Sequence, residues 1–423
     1  MTSERTDAAG ENVQQLRNVL QKYWGFDSFR ALQQESMTSI MEGRDTLVVL
    51  PTGGGKSLCY QAPAMCLDGM AIVVSPLISL MKDQVDTARA CGLPARLINS
   101  AIDARERFET WGEVRDGKVR LLYVSPERLT QSSFLDQLAD VPLSMLAIDE
   151  AHCISQWGHD FRPDYRRLGD ALDELGRPPV TALTATATPE VREDIVRQLE
   201  LRDPATVLTG FDRPNLRFEV RPAPARVDKL VVAERLVREV RGTRLIYAAS
   251  RRSVDEVAAH FRGKDIQAAA YHAGLPDDER TAIQDAFMAD EIELLVATNA
   301  FGMGVDKPDI RLVLHYDLPG SLEAYYQEAG RAGRDGAPAL CVLLQHGGDY
   351  RLQKFFIDQA NPEPELVRRL WSRLLRQQRE SGQPDGLLDA EALQHALGEK
   401  TDGPVRTTLR MLQASGHLEN GLD

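Results

Sequence analysis

Leu47-Val48-Val49-Leu50-Pro51-Thr52-Gly53-Gly54-Gly55-Lys56-Ser57 is the run that decides how the rest of the chain is read. Its four leading apolar residues make a short buried strand. The next positions carry almost no side chain, and Lys56 and Ser57 follow. Backbone N–H groups reach a phosphate only where no side chain stands in the way. Gly53, Gly54 and Gly55 supply that opening beside Thr52, and a helix starting there aims its N-terminal dipole at the same point. Lys56 adds a point charge for β and γ phosphates, and Ser57 adds a hydroxyl for Mg²⁺. The strict phosphate-loop pattern has Gly where Leu50 stands, so the match is to the variant Pro-Thr-Gly-x-Gly-Lys-Ser. The plain alternative is a glycine turn beside a surface lysine. The order strand, glycines, Lys-Ser and helical 58–65 argues against it.

Outward from this loop, 423 residues suit two or three domains. Hydrophobic residues at 43% and charged residues at 27% are those of a globular protein. Acidic residues outnumber basic ones, 63 to 50, for a net charge of -13. That excludes a uniformly basic footprint but says nothing of a local groove. Cys59, Cys66, Cys91, Cys153 and Cys341 include no C-x-x-C pair, so neither a zinc site nor a disulfide framework is expected. A reduced, cytoplasmic setting is expected instead. Residues 1–12 are polar, with no signal-peptide core, and no run of 18 apolar residues exists, so no membrane span is predicted.

Residues 13–42 read as two amphipathic helices around Tyr23-Trp24-Gly25-Phe26. Short apolar runs then recur at 71–74, 121–124, 145–148 and 180–183, each followed by a helical pattern. Strands buried on both faces and alternating with helices imply a parallel sheet, with motifs at the strand ends where open α/β sheets bind ligands. Around 209–215 the pattern breaks, and Asp212-Arg213-Pro214-Asn215 reads as a linker with an extended segment. A second series occupies 244–247, 268–271, 294–297, 312–315 and 340–344, without a second phosphate loop. The fold class expected is α/β: two tandem parallel-sheet domains, 1–210 and 211–347. A helical region, 348–423, follows. In it Leu366, Leu370 and Leu374 mark one helix face beside Trp371, while Arg369, Arg373 and Arg376 mark another. Segments 390–397 and 405–414 read as a helix-turn-helix, winged-helix-like, presenting Arg406 and Arg410 to duplex DNA.

Asp149-Glu150-Ala151-His152 directly follows the strand 145–148. Asp149 at a strand end beside the phosphate loop is placed to hold Mg²⁺ together with Ser57, and Glu150 to polarise the attacking water. Gln327-Glu328-Ala329-Gly330-Arg331-Ala332-Gly333-Arg334-Asp335 lies in the second series. Arg331 and Arg334, three apart, are expected on one helical face. There they would supply positive charge to a γ-phosphate from the other domain.

Together these residues resemble a superfamily 2 helicase. More narrowly, residues 20–344 resemble a RecQ-family DNA helicase, with Trp24-Gly25-Phe26, Phe29-Arg30 and Gln33 as the marker upstream of the phosphate loop. The resemblance implies two RecA-like domains, ATP and Mg²⁺ as ligands, and an adenine site built from Phe26, Arg30 and Gln33. A bidentate amide matches the adenine edge. The second marker, Ser155-Gln156-Trp157-Gly158-His159-Asp160-Phe161-Arg162-Pro163-Asp164-Tyr165, resembles the family's aromatic-rich loop, which couples single-stranded DNA to hydrolysis. Trp157 and Phe161 offer stacking faces and Arg162 a phosphate charge. The segments 75–84, 125–129 and Thr184-Ala185-Thr186 resemble the strand-contact and coupling motifs, with Ser75 touching DNA. The segment 297–306 resembles the second domain's motif that touches both DNA and nucleotide, which implies DNA contact for Thr298 and nucleotide contact for Asp306. Hydroxyls and backbone amides position phosphates without reading sequence.

One departure from the family is the missing four-cysteine zinc module, since no cysteine follows Cys341. No zinc is expected, and no helicase-and-RNase-D C-terminal domain is visible. The implied activity is ATP-dependent 3′→5′ translocation on single-stranded DNA with duplex unwinding. Lys56, Asp149, Glu150, Gln327, Arg331 and Arg334 would do the chemistry in a cytoplasmic monomer working on the nucleoid in DNA repair and recombination. The rivals are a DEAH-type RNA helicase and a non-catalytic nucleic-acid scaffold or annealing protein.

Overall fold

The computed structural model describes residues 2–30, 32–99, 102–155, 162–210, 212–302, 307–381 and 390–418. Trp157, Phe161 and Asp306 lie outside the described residues. The chain divides into two compact units, Met1–Arg221 with Val227–Leu344, and Pro222–Arg226 with Gln345–Asp423.

The first unit holds two sheets. The first is built from β1 (Thr46–Val49), β2 (Met70–Val74), β3 (Ala95–Ile98), β4 (Leu121–Val124), β5 (Leu143–Ile148), β6 (Val180–Thr184) and β7 (Ala205–Leu208), in the order β3-β4-β2-β5-β6-β1-β7. All of its pairings are parallel. Alternate residues serve opposite faces, and both faces are covered. Leu47, Val49, Ile72, Val74, Leu146 and Ile148 enter one apolar core. Val48, Leu50, Ala71, Val73 and Ala147 enter the other. This is why the strands read as unbroken apolar runs. Leu16 and Leu20 of the helix Thr2–Trp24, with Met37 and Ile40 of the helix Gln33–Met41, close the second core.

The second sheet contains β8 (Leu216–Pro222), β9 (Thr243–Tyr247), β10 (Ala268–Tyr271), β11 (Leu294–Ala297), β12 (Ile310–His315) and β13 (Ala339–Gln345), in the order β10-β11-β9-β12-β13-β8. Strands β9 to β13 run parallel. Its central strands are buried on both faces as well. Three strands were not expected: β3, β7 and β8. The segment read as a linker with an extended piece is an irregular stretch followed by a true edge strand, β8.

In the second unit, the helices Asp349–Ala360, Pro364–Ser381, Ala390–Leu397 and Gly403–Ala414 pack Leu366, Leu370, Leu374, Leu393, Leu397, Val405 and Leu412 into one core. The two helices expected at 390–397 and 405–414 are present as Ala390–Leu397 and Gly403–Ala414, with a short connection at 398–402. Arg369 Nη1 lies 3.4 Å from Glu399 Oε1, so that arginine braces the unit. Arg406 is exposed and paired with Asp402, and Arg410 is exposed. Among the described residues no helix is long and apolar enough to cross a membrane.

One buried carboxylate fixes the strand that enters the phosphate loop. Asp45 Oδ1 accepts from Val180 N at 2.8 Å, and Oδ2 accepts from Arg202 N at 2.7 Å and Arg177 Nη2 at 2.8 Å. It ties the start of β1 to both neighbours. Asp45→Ala takes the acceptor from two amides and the ion-pair partner from the Arg177 guanidinium, which keeps only the Pro178 and Glu200 carbonyls, so unfolding free energy should fall by about 3 kcal/mol. A urea midpoint shift corresponding to under about 0.5 kcal/mol would show that the carboxylate does not hold the strands.

Candidate nucleotide and nucleic-acid site

Four central strands of the first sheet, β2, β5, β6 and β1, end on one side with Ser75, Asp149, Thr184 and the phosphate loop. The loop needs its glycines. Gly53 and Gly55 have φ of +81° and +78°, and a Cβ on Gly54 would stand 2.9 Å from Pro51 O. The helix Lys56–Cys66 starts at Gly55 and runs through an internal Pro63. Lys56 and Ser57, both half-buried, stand in its first turn.

Three successive loop carbonyls are tied down from the N-terminal side. Arg30 Nη1 donates to Gly53 O at 2.7 Å. Gln33 Nε2 donates to Gly54 O and Gly55 O at 3.3 Å each, and its Oε1 accepts from Arg30 N at 2.8 Å. The amide expected on an adenine edge is thus engaged at both ends, its nitrogen with the phosphate loop and its oxygen with the Arg30 amide, and Gln33 is buried. Phe26 is exposed, as a stacking face requires.

Asp149 is buried at the end of β5. Its Oδ2 accepts from Gln84 Nε2 at 3.0 Å and its Oδ1 from Glu150 N at 3.0 Å. Burial, then the Glu150 charge beside it, pushes its carboxyl up to about 6, against the pull of Lys56 and Gln84. Gln84 also lies 3.3 Å from Tyr60 Oη, which is 3.2 Å from Tyr123 Oη. A polar chain thereby runs from the helix Ile78–Ala90 to Asp149. The residue that follows, Glu150, sits in the left-handed region at φ +49°. His152 Nδ1 lies 3.3 Å from Glu150 Oε2 and 2.9 Å from Thr184 Oγ1. Thr184 Oγ1 donates to Thr186 O at 3.1 Å. The acid pair and the Thr-Ala-Thr segment are therefore in contact through a histidine.

The second sheet brings its arginine loop to the phosphate loop. The helix Leu322–Ala329 stops before Arg331, and Gly333 has φ +53°. Arg331 and Arg334 therefore lie in a turn and not on one helical face, because Gly330 and Gly333 break the helix. Arg334 Cγ lies 3.3 Å from where a Cβ of Gly53 would stand. Arg331 is buried inside the second sheet domain, with Nη2 2.8 Å from the Cβ position of Gly302. Gln327 is half-buried on the preceding helix.

Of the residues expected at the strand, Arg162 Nη1 donates to Pro76 O at 2.7 Å. Thr298 is buried at the end of β11, where its Oγ1 accepts from Ala300 N at 3.3 Å. Ser75 is wholly enclosed, and its hydroxyl meets no hydrogen-bond partner among the described residues. Any contact of Ser75 with a strand goes through its backbone or after a local movement. Two residues that the sequence did not single out are Gln84, on the acid, and Arg213, on the arginine loop. Both meet their partners across long sequence separations, so no local pattern announces them.

The donor set fits Mg²⁺: hard oxygens of Ser57 and Asp149 beside a glycine cradle, with a carboxylate whose burial is costly without a cation. The sign of that cost is testable. The folded carboxyl keeps its proton to about pH 6, against 3.8 for the ordinary group. Its contribution is fully present below about pH 4 and lost as pH rises through 6. Without nucleotide or Mg²⁺, Asp149→Asn should be more stable than wild type at pH 7.5 by on the order of 2 kcal/mol, the difference closing toward pH 4. Equal urea midpoints at both pH values would refute the shift.

Two family models match the chain: the DEAD/DEAH box helicase model over residues 30–195 and the helicase conserved C-terminal domain model over 227–336. The ATP-dependent DNA helicase RecQ of Bacillus subtilis is 45% identical over 352 residues, 82% of this chain and 59% of that protein. The chain spans 54% of the RecQ of Pasteurella multocida, so it corresponds to little more than half of these relatives. The probable ATP-dependent DNA helicase RecS of Bacillus subtilis is 44% identical over 83% of this chain and 71% of that protein. In fold, the chain is similar to the helicase MrfA bound to DNA, with a TM-score of 0.66 at 20% identity, over 81% of this chain and 53% of that one. Identity of this order over four fifths of the chain reflects common descent: the chain belongs to the RecQ family of superfamily 2 helicases.

Proposed function

We propose that the chain is an ATP-dependent DNA helicase, hydrolysing ATP where the two sheets of the first unit meet and using the cycle to travel 3′→5′ on single-stranded DNA and part duplexes. The observation that carries this reading is the seating of Arg334 against Gly53. A phosphate loop answered by an arginine from a second parallel-sheet domain is the arrangement that phosphoryl transfer needs. Mg²⁺, held by Ser57 and Asp149, would neutralise phosphate charge when bound.

The chain's own residues have separable roles. The glycine backbone and Lys56 grip the phosphates. Glu150, steadied by His152 at 3.3 Å, accepts the proton of the attacking water. Arg334 meets the charge that develops on the transferred phosphoryl group. The buried Arg331 braces the turn that presents Arg334, and Gln327 lines the preceding helix. Because His152 also contacts Thr184, a shift of the 184–186 segment on strand binding reaches the general base. Phe26, Arg30 and Gln33 select the base; Gln33 changes partners from the loop carbonyls to the adenine edge. On the strand side, Arg162 and Thr298 take phosphates. Trp157 and Phe161 supply stacking, Asp306 touches nucleotide, and Arg406 with Arg410 approach duplex DNA.

The test is steady-state ATPase and unwinding of tailed duplexes of both polarities, with DNA and RNA strands. Lys56→Ala should abolish hydrolysis, and Glu150→Gln should bind ATP without turnover. Arg334→Ala should lower kcat by roughly 10³ with a smaller change in KM. A purely KM effect would assign Arg334 to ground-state binding. Stimulation by RNA in preference to DNA would overturn the substrate assignment, and unwinding of 5′-tailed duplexes alone would overturn the direction.

A further inference from the structure

Arg213 is a cation whose side-chain hydrogen bonds all go to main-chain carbonyls. Nη1 donates to Gly330 O at 2.9 Å and Thr52 O at 3.3 Å. Nη2 donates to Ala332 O at 3.0 Å and Gly333 O at 2.7 Å. Three of these carbonyls belong to the turn that carries Arg331 and Arg334. The fourth belongs to the phosphate loop. The turn follows the helix Leu322–Ala329, and the carbonyl end of a helix leaves acceptors unpaired and a negative field. A planar guanidinium fork meets four such oxygens at once, which an ammonium cannot.

Asn215, two residues on, repeats the attachment. Its Nδ2 donates to Gly333 O at 2.8 Å and Ala337 O at 3.0 Å, and its own carbonyl accepts from Ala339 N at 3.0 Å. A Cβ on Gly333 would stand 2.6 Å from that Nδ2. The segment 213–215 is therefore stitched to the arginine turn by several short bonds. It reaches the phosphate loop through one longer bond, to Thr52 O. The weak link lies between the two sheets and the strong ones lie within the second.

We propose that Arg213 is a positioning residue that latches the arginine turn to the phosphate loop and so sets where Arg334 stands over the γ-phosphate. The latch rests on the reading of Arg334 as the residue that meets the transferred phosphoryl group. Arg213 moves with the turn, and engagement of Thr52 O is the step that completes the site. A segment that connects the two sheets thereby reports their approach directly to the chemistry.

The experiment is a double-mutant cycle on the full chain, read as kcat and KM for ATP well below the melting temperature. Arg213→Ala should lower kcat by at least about tenfold with KM within about twofold. In the Arg334→Ala background it should cost no more than about twofold further, because the residue it positions is gone. Arg213→Lys, which keeps the charge and the stem should the alanine variant fail to fold, should fall between and show the same non-additivity. A general loss of stability would instead multiply with the Arg334→Ala loss. Multiplying losses, or an Arg213→Ala kcat within twofold of wild type, would overturn the latch while leaving the ATPase reading intact. Wild-type chain that does not hydrolyse ATP would overturn both.

Discussion

The two sheets of the first unit meet at contacts that have a glycine on one side. Gly53 faces Arg334, and Gly330 stands against Thr52, whose Cβ lies 3.5 Å from where a Cβ of Gly330 would be. Close approach is what glycine permits: a β-carbon at 53 would crowd the Arg334 side chain, and one at 330 would already be in contact with Thr52. Everything proposed for the site depends on that proximity. The arginine turn reaches the phosphate loop, Arg213 bridges their carbonyls, and the proposed hydrolysis would be conditional on the sheets being together.

Behind this contact, the first sheet organises its chemistry by strand order. Placing β5 between β2 and β6, with β1 next, brings Gln84, Asp149, His152, Thr184 and Lys56 together from distant parts of the sequence. The polar chain from Tyr123 through Tyr60 and Gln84 to Asp149 lies in an otherwise apolar interior. Burial pushes Tyr123 up to about 12, and Tyr60 well above the ordinary phenol, so both remain neutral donors. They give Gln84 one orientation, and Gln84 gives Asp149 one.

Much of this was legible in the sequence, for a physical reason. Strands buried on both faces show as unbroken apolar runs, and β2, β4, β5, β6 and β9 to β13 were read to within two residues at either end. The three that escaped notice, β3, β7 and β8, are sheet edges. Each is half-exposed and interrupted by Arg96, by Thr206, or by Arg217, Glu219 and Arg221. Motifs announced the phosphate loop, the acid pair and the arginine turn because glycines and charges crowd there. They did not announce the turn's conformation: the spacing of Arg331 and Arg334 fits a helix, but the helix stops at Ala329, and Gly330 and Gly333 carry the chain into a turn. Nor could they reveal Gln33 folded onto the loop, or Arg213 among carbonyls, since a main-chain oxygen leaves no trace in sequence.

The turn after β5 holds two costs side by side: a carboxylate pushed up to about 6 by burial, and Glu150 in a left-handed conformation that disfavours most side chains by about 1 kcal/mol. Neither cost serves folding. Heat-resistance screening that ignored activity would drift toward Asn at 149 and Gly or Asn at 150, relieving both and emptying the site of its acid pair. Marginal stability at this turn is thus a signature of use, and a chain that relaxed it would lose the acid pair that the proposed chemistry needs.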